Sequence, residues 1–182
     1  FALQMLNFPV ASGTSGHLLG GALAAVLVGP WVGIVCVSIV LVVQALLFAD
    51  GGLTALGLNV VLIAVVPAVV AWAVFTLLRR LLPATKGSVV AASAAGAFVS
   101  VPVAAAVFAV LFGIGGSVDL SFSSVLVAMV GTHVLIGVGE AAITGAVVSA
   151  VVGVRPDLVH GAADLASPLE LRAPVPATGV AS

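Results

Sequence analysis

The side chains able to do chemistry are few in this chain. Three histidines, six acidic residues and one cysteine are distributed over 182 residues. His17 stands out first, because it follows Gly13-Thr14-Ser15-Gly16, where the glycines free the backbone and Ser15 can cap a helix beginning near His17. A neutral imidazole is a common ligand for nickel, cobalt, copper and zinc. The same ring could instead be a histidine hydrogen-bonded between helices, since an unpaired buried polar group is costly.

His133 and Glu140 lie seven positions apart in a long apolar stretch, so at about 3.6 residues per turn they share a helix face, two turns apart. They could support a ligand shell, relay a proton or tie two helices together, and the tie is the reading favoured by the rule that buried polar groups are satisfied within the protein. Asn59 could offer its amide to a ligand shell or cap a helix after Gly57. Gln4, Asn7 and Gln44 are further polar positions beside apolar segments, where interhelical hydrogen bonds are the ordinary role. Cys36, the single cysteine, makes no intrachain disulfide and supplies no metal-binding pair.

The elements that must position these groups follow from composition. Hydrophobic residues make up 63% of the chain and charged residues 6%, against about 25% charged in an ordinary soluble domain. With a mean hydropathy of +1.42, its apolar runs of about 18 residues or more match a bilayer core. In lipid the backbone must satisfy itself, which leaves helices or a closed barrel. The runs are continuous rather than alternating, so the chain reads as an all-α, polytopic transmembrane helix bundle.

Residues 1–8 read as the tail of a helix whose beginning is missing, and the absence of an initiator Met reads as an amino-terminal truncation. His17 to Val28 is too short to span alone and reads as a half-depth helix. Full spans are expected over residues 32–48, 59–78 (with a kink at Pro67), 89–112 and 124–152. The transmembrane domain is expected to end at residue 157, with 158–182 a weakly ordered cytoplasmic tail rich in Ala, Pro and Ser. Arg79, Arg80, Lys86 and Arg155 mark cytoplasmic ends, which puts the Asp50 and Asp119 loops and His17 on the outer side.

A net charge of -1 without a basic block gives no sign of a nucleic-acid partner. Gly51-Gly52 and Gly115-Gly116 lack the Gly-Lys-Ser or Gly-Lys-Thr of a phosphate-binding loop, and no hydrolase or zinc-protease motif occurs. The chain reads as a transport component rather than an enzyme, with any ATP use on another chain.

The stretch Gln4-Met5-Leu6-Asn7-Phe8-Pro9-Val10 through Gly13-Thr14-Ser15-Gly16-His17-Leu18-Leu19-Gly20-Gly21 resembles the CbiM/NikM family, the substrate-specific subunits of energy-coupling-factor cobalt and nickel transporters. The likeness continues through Gly29-Pro30-Trp31, from Val43-Gln44-Ala45-Leu46-Leu47-Phe48-Ala49-Asp50-Gly51-Gly52 to Gly57 and Asn59, and through His133 to Glu140, ending near Asp157. The resemblance implies a metal held by nitrogen donors: a free amino terminus, the backbone nitrogen and imidazole of a second-position histidine, and the histidine of a Thr-Ser-x-His motif. Only the last maps here, onto His17, so this chain as written is expected not to complete that site. Thr14, Ser15, Asn59, His133 and Glu140 are then expected to shape or support the pocket.

The resemblance also implies the cell membrane of a prokaryote. Its partners there would be a transmembrane coupling subunit, two cytoplasmic ATPases and a small accessory membrane subunit, which together import Co²⁺ or Ni²⁺ with no permanently bound cofactor. Two other readings stand beside it. One is a related subunit for a vitamin or other small organic solute, against which the absence of Tyr and the presence of only two Trp argue mildly. The other is a structural membrane subunit whose polar groups only tie helices.

Overall fold

The computed structural model describes residues 4, 8–9, 15–116 and 118–165. Five helices organise it: a short α1 (Gly21–Val28), α2 (Pro30–Leu47), α3 (Leu56–Leu81), α4 (Lys86–Gly115) and α5 (Phe122–Val154). The last four are long and apolar enough to cross a membrane. Their outward faces carry Trp31, Leu47, Val127 and Leu135, all largely exposed as lipid-facing side chains should be. The chain is therefore a multi-pass membrane protein.

The four spans fall where the apolar runs place them, each longer or shifted by a few residues at its ends. Local chemistry sets some of those ends. Thr85 accepts a bond from the Ser88 backbone N–H and opens α4, while Ser121 does the same for Ser124 and opens α5. Pro30 occupies the first turn of α2, where its missing N–H costs nothing.

Four expectations need correction. The half-helix begins at Gly21 rather than His17, and Ser15 does not cap it: its N-cap is Gly20, in the left-handed region at φ 75°. The helix expected over residues 1–8 fails where the chain is described, since Gln4 lies in a turn and Phe8–Pro9 pairs antiparallel with Ser15–Gly16. Phe8 precedes a proline, which disfavours helical geometry there. Asn59 is not an N-cap, because α3 starts one turn earlier, at Leu56. Finally, the weakly ordered tail cannot begin at residue 158. Short 3₁₀ turns occupy Pro156–Leu158 and His160–Leu165, and Val159 and Ala162 are buried against Val26, Phe75 and Val152. Residues 166–182 lie outside the described ones.

The kink expected at Pro67 takes a specific form. Proline offers no N–H to the Ile63 carbonyl four residues earlier, and the preceding turns, Val60–Val65, widen into a π-helix. Gly21 packs into this irregularity: a Cβ on it would stand 2.9 Å from the Ile63 carbonyl oxygen and 3.0 Å from Pro67 Cβ. The start of α1 is thus seated on the kink of α3. Elsewhere α4 packs along both α3 and α5, and α1 lies against α2 and α3. Gly96, whose Cβ would fall 2.7 Å from the Ala71 carbonyl, lets α3 and α4 approach closely.

Candidate metal site

Because α1 is only eight residues long, about 12 Å at 1.5 Å per residue, it fills one half of the bundle and leaves the other half open. A cavity of about 280 Å³ occupies that other half. The chain from Ser15 to Leu19, the end of α2, the start of α3 and the facing parts of α4 and α5 enclose it. The loops holding Asp50 and Asp119 lie at its end of the bundle, and the loops holding Lys86 and Arg155 at the other.

His17 lines the cavity, half-buried, on the extended segment before α1. Its Nδ1 lies 3.0 Å from the Leu18 carbonyl oxygen. A carbonyl can only accept, so Nδ1 carries the proton and Nε2 keeps its lone pair for a ligand. Ser15 also lines the cavity and is exposed. Thr14 lies outside the described residues.

His133 is brought to the same cavity from α5 and is 6% exposed. Its Nδ1 is 2.7 Å from the Met129 carbonyl oxygen one turn back, so it too must donate from Nδ1 and hold its lone pair on Nε2. It is therefore bonded to its own helix and not tied to another. Gly16 presses on the ring: a Cβ there would fall 2.9 Å from His133 Cε1, 3.1 Å from Nε2 and 2.8 Å from Ile136 Cδ1. Glycine at the third position of Thr-Ser-x-His is what lets the His17 segment lie on His133.

Glu140 shares the buried face of α5 with His133, as the spacing predicts, but does not reach the cavity. Its carboxylate accepts the backbone N–H of Leu19 at 3.1 Å and of Gly20 at 2.6 Å. A carboxylate suits a helix N-terminus, where unpaired N–H groups and the helix dipole present partial positive charge. Glu140 thus performs the interhelical tie and the capping that sequence had divided between it and Ser15. Gln4 adds a second tether, donating to the Leu19 carbonyl at 2.7 Å.

Asn59 lines the mouth, where its Nδ2 donates to the Gly51 carbonyl at 3.0 Å. The turn it holds is demanding: Ala49, Gly51 and Gly52 all have positive φ, and a Cβ on Gly51 would lie 2.7 Å from Asn59 Nδ2. Two residues that sequence had not placed at the site also line the cavity, Asp50 and Gln44. Gln44 is 3% exposed and its Nε2 has no hydrogen-bond partner. Its sequence signal was available, since a glutamine near the end of an apolar span, six residues before an aspartate loop, has to face protein or cavity.

Among the described residues no group of three or more His, Cys, Asp and Glu side chains converges in the manner of a resident metal centre. The cavity offers two imidazoles with free Nε2 atoms, three amides (Gln4, Gln44 and Asn59) and a carboxylate near the mouth.

Residues 1–158 match the family described as CbiM, cobalt uptake substrate-specific transmembrane region. A protein of Archaeoglobus fulgidus, provisionally named a fused nickel transport protein NikMN, is 38% identical over 164 residues, covering 88% of this chain and 52% of that protein. The cobalt transport protein CbiM of Geobacter sulfurreducens is 35% identical over 163 residues, covering 87% of this chain and 46% of its own length. The chain thus spans about half the length of these two relatives. A crystal structure described as a truncated transition metal transporter superposes with a TM-score of 0.75 at 30% identity, over 84% of this chain and 75% of that one. With its four apolar spans, half-helix and histidine-bearing loop in place, the chain belongs to the CbiM family of cobalt uptake substrate-specific transmembrane regions.

Proposed function

We propose that this chain captures Co²⁺ or Ni²⁺ on the outer side of a prokaryotic cell membrane, as the substrate-binding subunit of an ATP-driven uptake transporter. The observation that carries the reading is the position of His17, whose free Nε2 borders a cavity held at one end of a membrane bundle. Imidazole nitrogen suits borderline divalent metals better than the hard ions that prefer oxygen. The cavity's volume of about 280 Å³ lies just below that of small-molecule sites, which run from about 300 to 1,000 Å³. That favours an ion over a vitamin.

Arg79, Arg80, Lys86 and Arg155 sit at the far end of the bundle from the cavity, and positive charge collects on the cytoplasmic side. The cavity then opens outward. In this reading His17 is a metal ligand, and Ser15 and Asn59 shape the mouth. Transport is driven by a transmembrane coupling subunit and cytoplasmic ATPases, with a small accessory membrane subunit beside them.

Uptake of radioactive Co²⁺ and Ni²⁺ by cells making the protein, with and without His17→Ala, tests the proposal. Loss of at least about tenfold is expected when a metal ligand is removed, at or above the cost of losing its supporting shell. Wild-type uptake by the variant would refute it.

A further inference from the structure

Two polar atoms face the cavity without a protein partner among the described residues. His133, fixed as the Nδ1–H tautomer by Met129, has its Nε2 lone pair at the edge of the ring that Gly16 covers, one residue from His17. Among the described residues no donor reaches that nitrogen. Gln44, on the opposite wall from α2, has a buried Nε2 with no partner at all. Buried polar side chains are nearly always hydrogen-bonded in folded proteins, so an unpartnered buried amide sharing one cavity with an imidazole whose second nitrogen is free calls for a ligand that visits it.

The chemistry of the pair narrows that ligand. A neutral imidazole nitrogen with its lone pair free is a metal donor, and a primary amide adds a carbonyl oxygen once it rotates. Neither brings a formal charge, so neither would hold a divalent ion as tightly as a closed thiolate or carboxylate cage does. Such a weak donor pair fits a position that an ion passes through rather than one where it resides.

We infer that His133 Nε2 and the Gln44 amide form an inner station for the transported divalent ion, deeper in the cavity than His17. The inference rests on the reading of the cavity as a metal-capture site. His17 receives the ion at the surface, and the inner pair accepts it as it moves toward the middle of the bundle. Gly16 lies between them, small enough for the His17 segment to lie on the second imidazole.

The test compares wild type, His17→Ala, His133→Ala and Gln44→Leu in cells for Co²⁺ uptake. The purified proteins are compared for the visible absorption of bound Co²⁺ and for thermal unfolding. Gln44→Leu is the informative variant, because it keeps a side chain of similar bulk and removes an unpartnered buried amide. The station predicts that Gln44→Leu unfolds at the same or a higher temperature while uptake falls about tenfold or more, the scale of losing a metal-supporting group. It also predicts that His133→Ala lowers uptake comparably and shifts the Co²⁺ absorption bands, while His17-dependent binding persists.

Two results would overturn the station while leaving capture by His17 intact. One is wild-type uptake and an unchanged Co²⁺ spectrum in both inner variants. The other is a Gln44→Leu protein that loses stability and uptake together, as a structural glutamine would. If His17→Ala also retains full uptake, the metal-capture reading fails and the station with it.

Discussion

At the scale of single residues, the site depends on what is missing from Gly16 as much as on what His17 carries. A methyl group at position 16 would meet His133 at 2.9 Å and Ile136 at 2.8 Å, closer than real Cβ contacts come, so either the ring or the loop must move. Gly16→Ala is expected to cost about 1–3 kcal/mol of stability, as overpacking in a filled site does. It should also weaken Co²⁺ binding measured by isothermal titration, because the His17 segment is pushed off the His133 ring; unchanged affinity would show that the packing of Gly16 on that ring is incidental. The motif singled out His17, which lines the cavity, and the burial of His133 and Glu140 was legible from their helical spacing. The partners were not. Ser15 and Asn59 have the chemistry of caps, but the capping of α1 comes from Glu140, 120 residues away, and Asn59 turns back to Gly51. Local preference names a residue's repertoire, and tertiary contact selects from it.

At the scale of elements, the short helix α1 is the part that leaves a cavity in the bundle. Too short to cross the membrane, it leaves space above it, and its first residues must be held against lipid-soluble neighbours without a full helix's packing. Glu140 does this from α5, and the seat on the Ile63–Pro67 irregularity does it from α3. Glu140→Ala leaves the N–H groups of Leu19 and Gly20 buried without acceptors, at about 1–3 kcal/mol for each. A lowered thermal midpoint in detergent and weakened Co²⁺ binding are both expected, since the His17 segment leads directly into the freed turn. Gly21→Ala attacks the other seat by forcing a methyl against backbone and proline, and should lower the midpoint by a comparable amount. The four spans were readable because about 18 apolar residues can do little else in a bilayer. The π-helical stretch was not, because hydropathy records how apolar a turn is and not how its carbonyls are paired.

At the scale of the whole molecule, the bundle has a binding end and a fastening end, and they should be separable. The fastening end is built by the segment after α5, in which Val159 and Ala162 bury against Val26, Phe75 and Val152. His160 packs on Trp72 with ring centroids 5.2 Å apart. Asp164 pairs with Arg79 at 2.6 Å, a pair half-exposed on the acid's side and so worth about 1 kcal/mol or less. Most of the docking free energy must therefore come from apolar contact, with about 1.5–3 kcal/mol for Val159 alone. Composition pointed to disorder here because the tail as a whole, to Ser182, is rich in Ala, Pro and Ser, yet a few well-placed side chains suffice when a preformed groove between α1, α3 and α5 receives them. Ala162→Asp tests this division. A carboxylate will not enter a fully buried apolar site without a partner, so the segment should undock instead, which caps the loss of stability at the docking free energy, about 2–4 kcal/mol by the same area reasoning. Proteolysis should then cut after Val154, while Co²⁺ titration stays within about twofold of wild type, a difference of under 0.5 kcal/mol. A large loss of metal affinity would instead mean that the two ends are coupled through α1, which touches both the docked segment and the loop that carries His17.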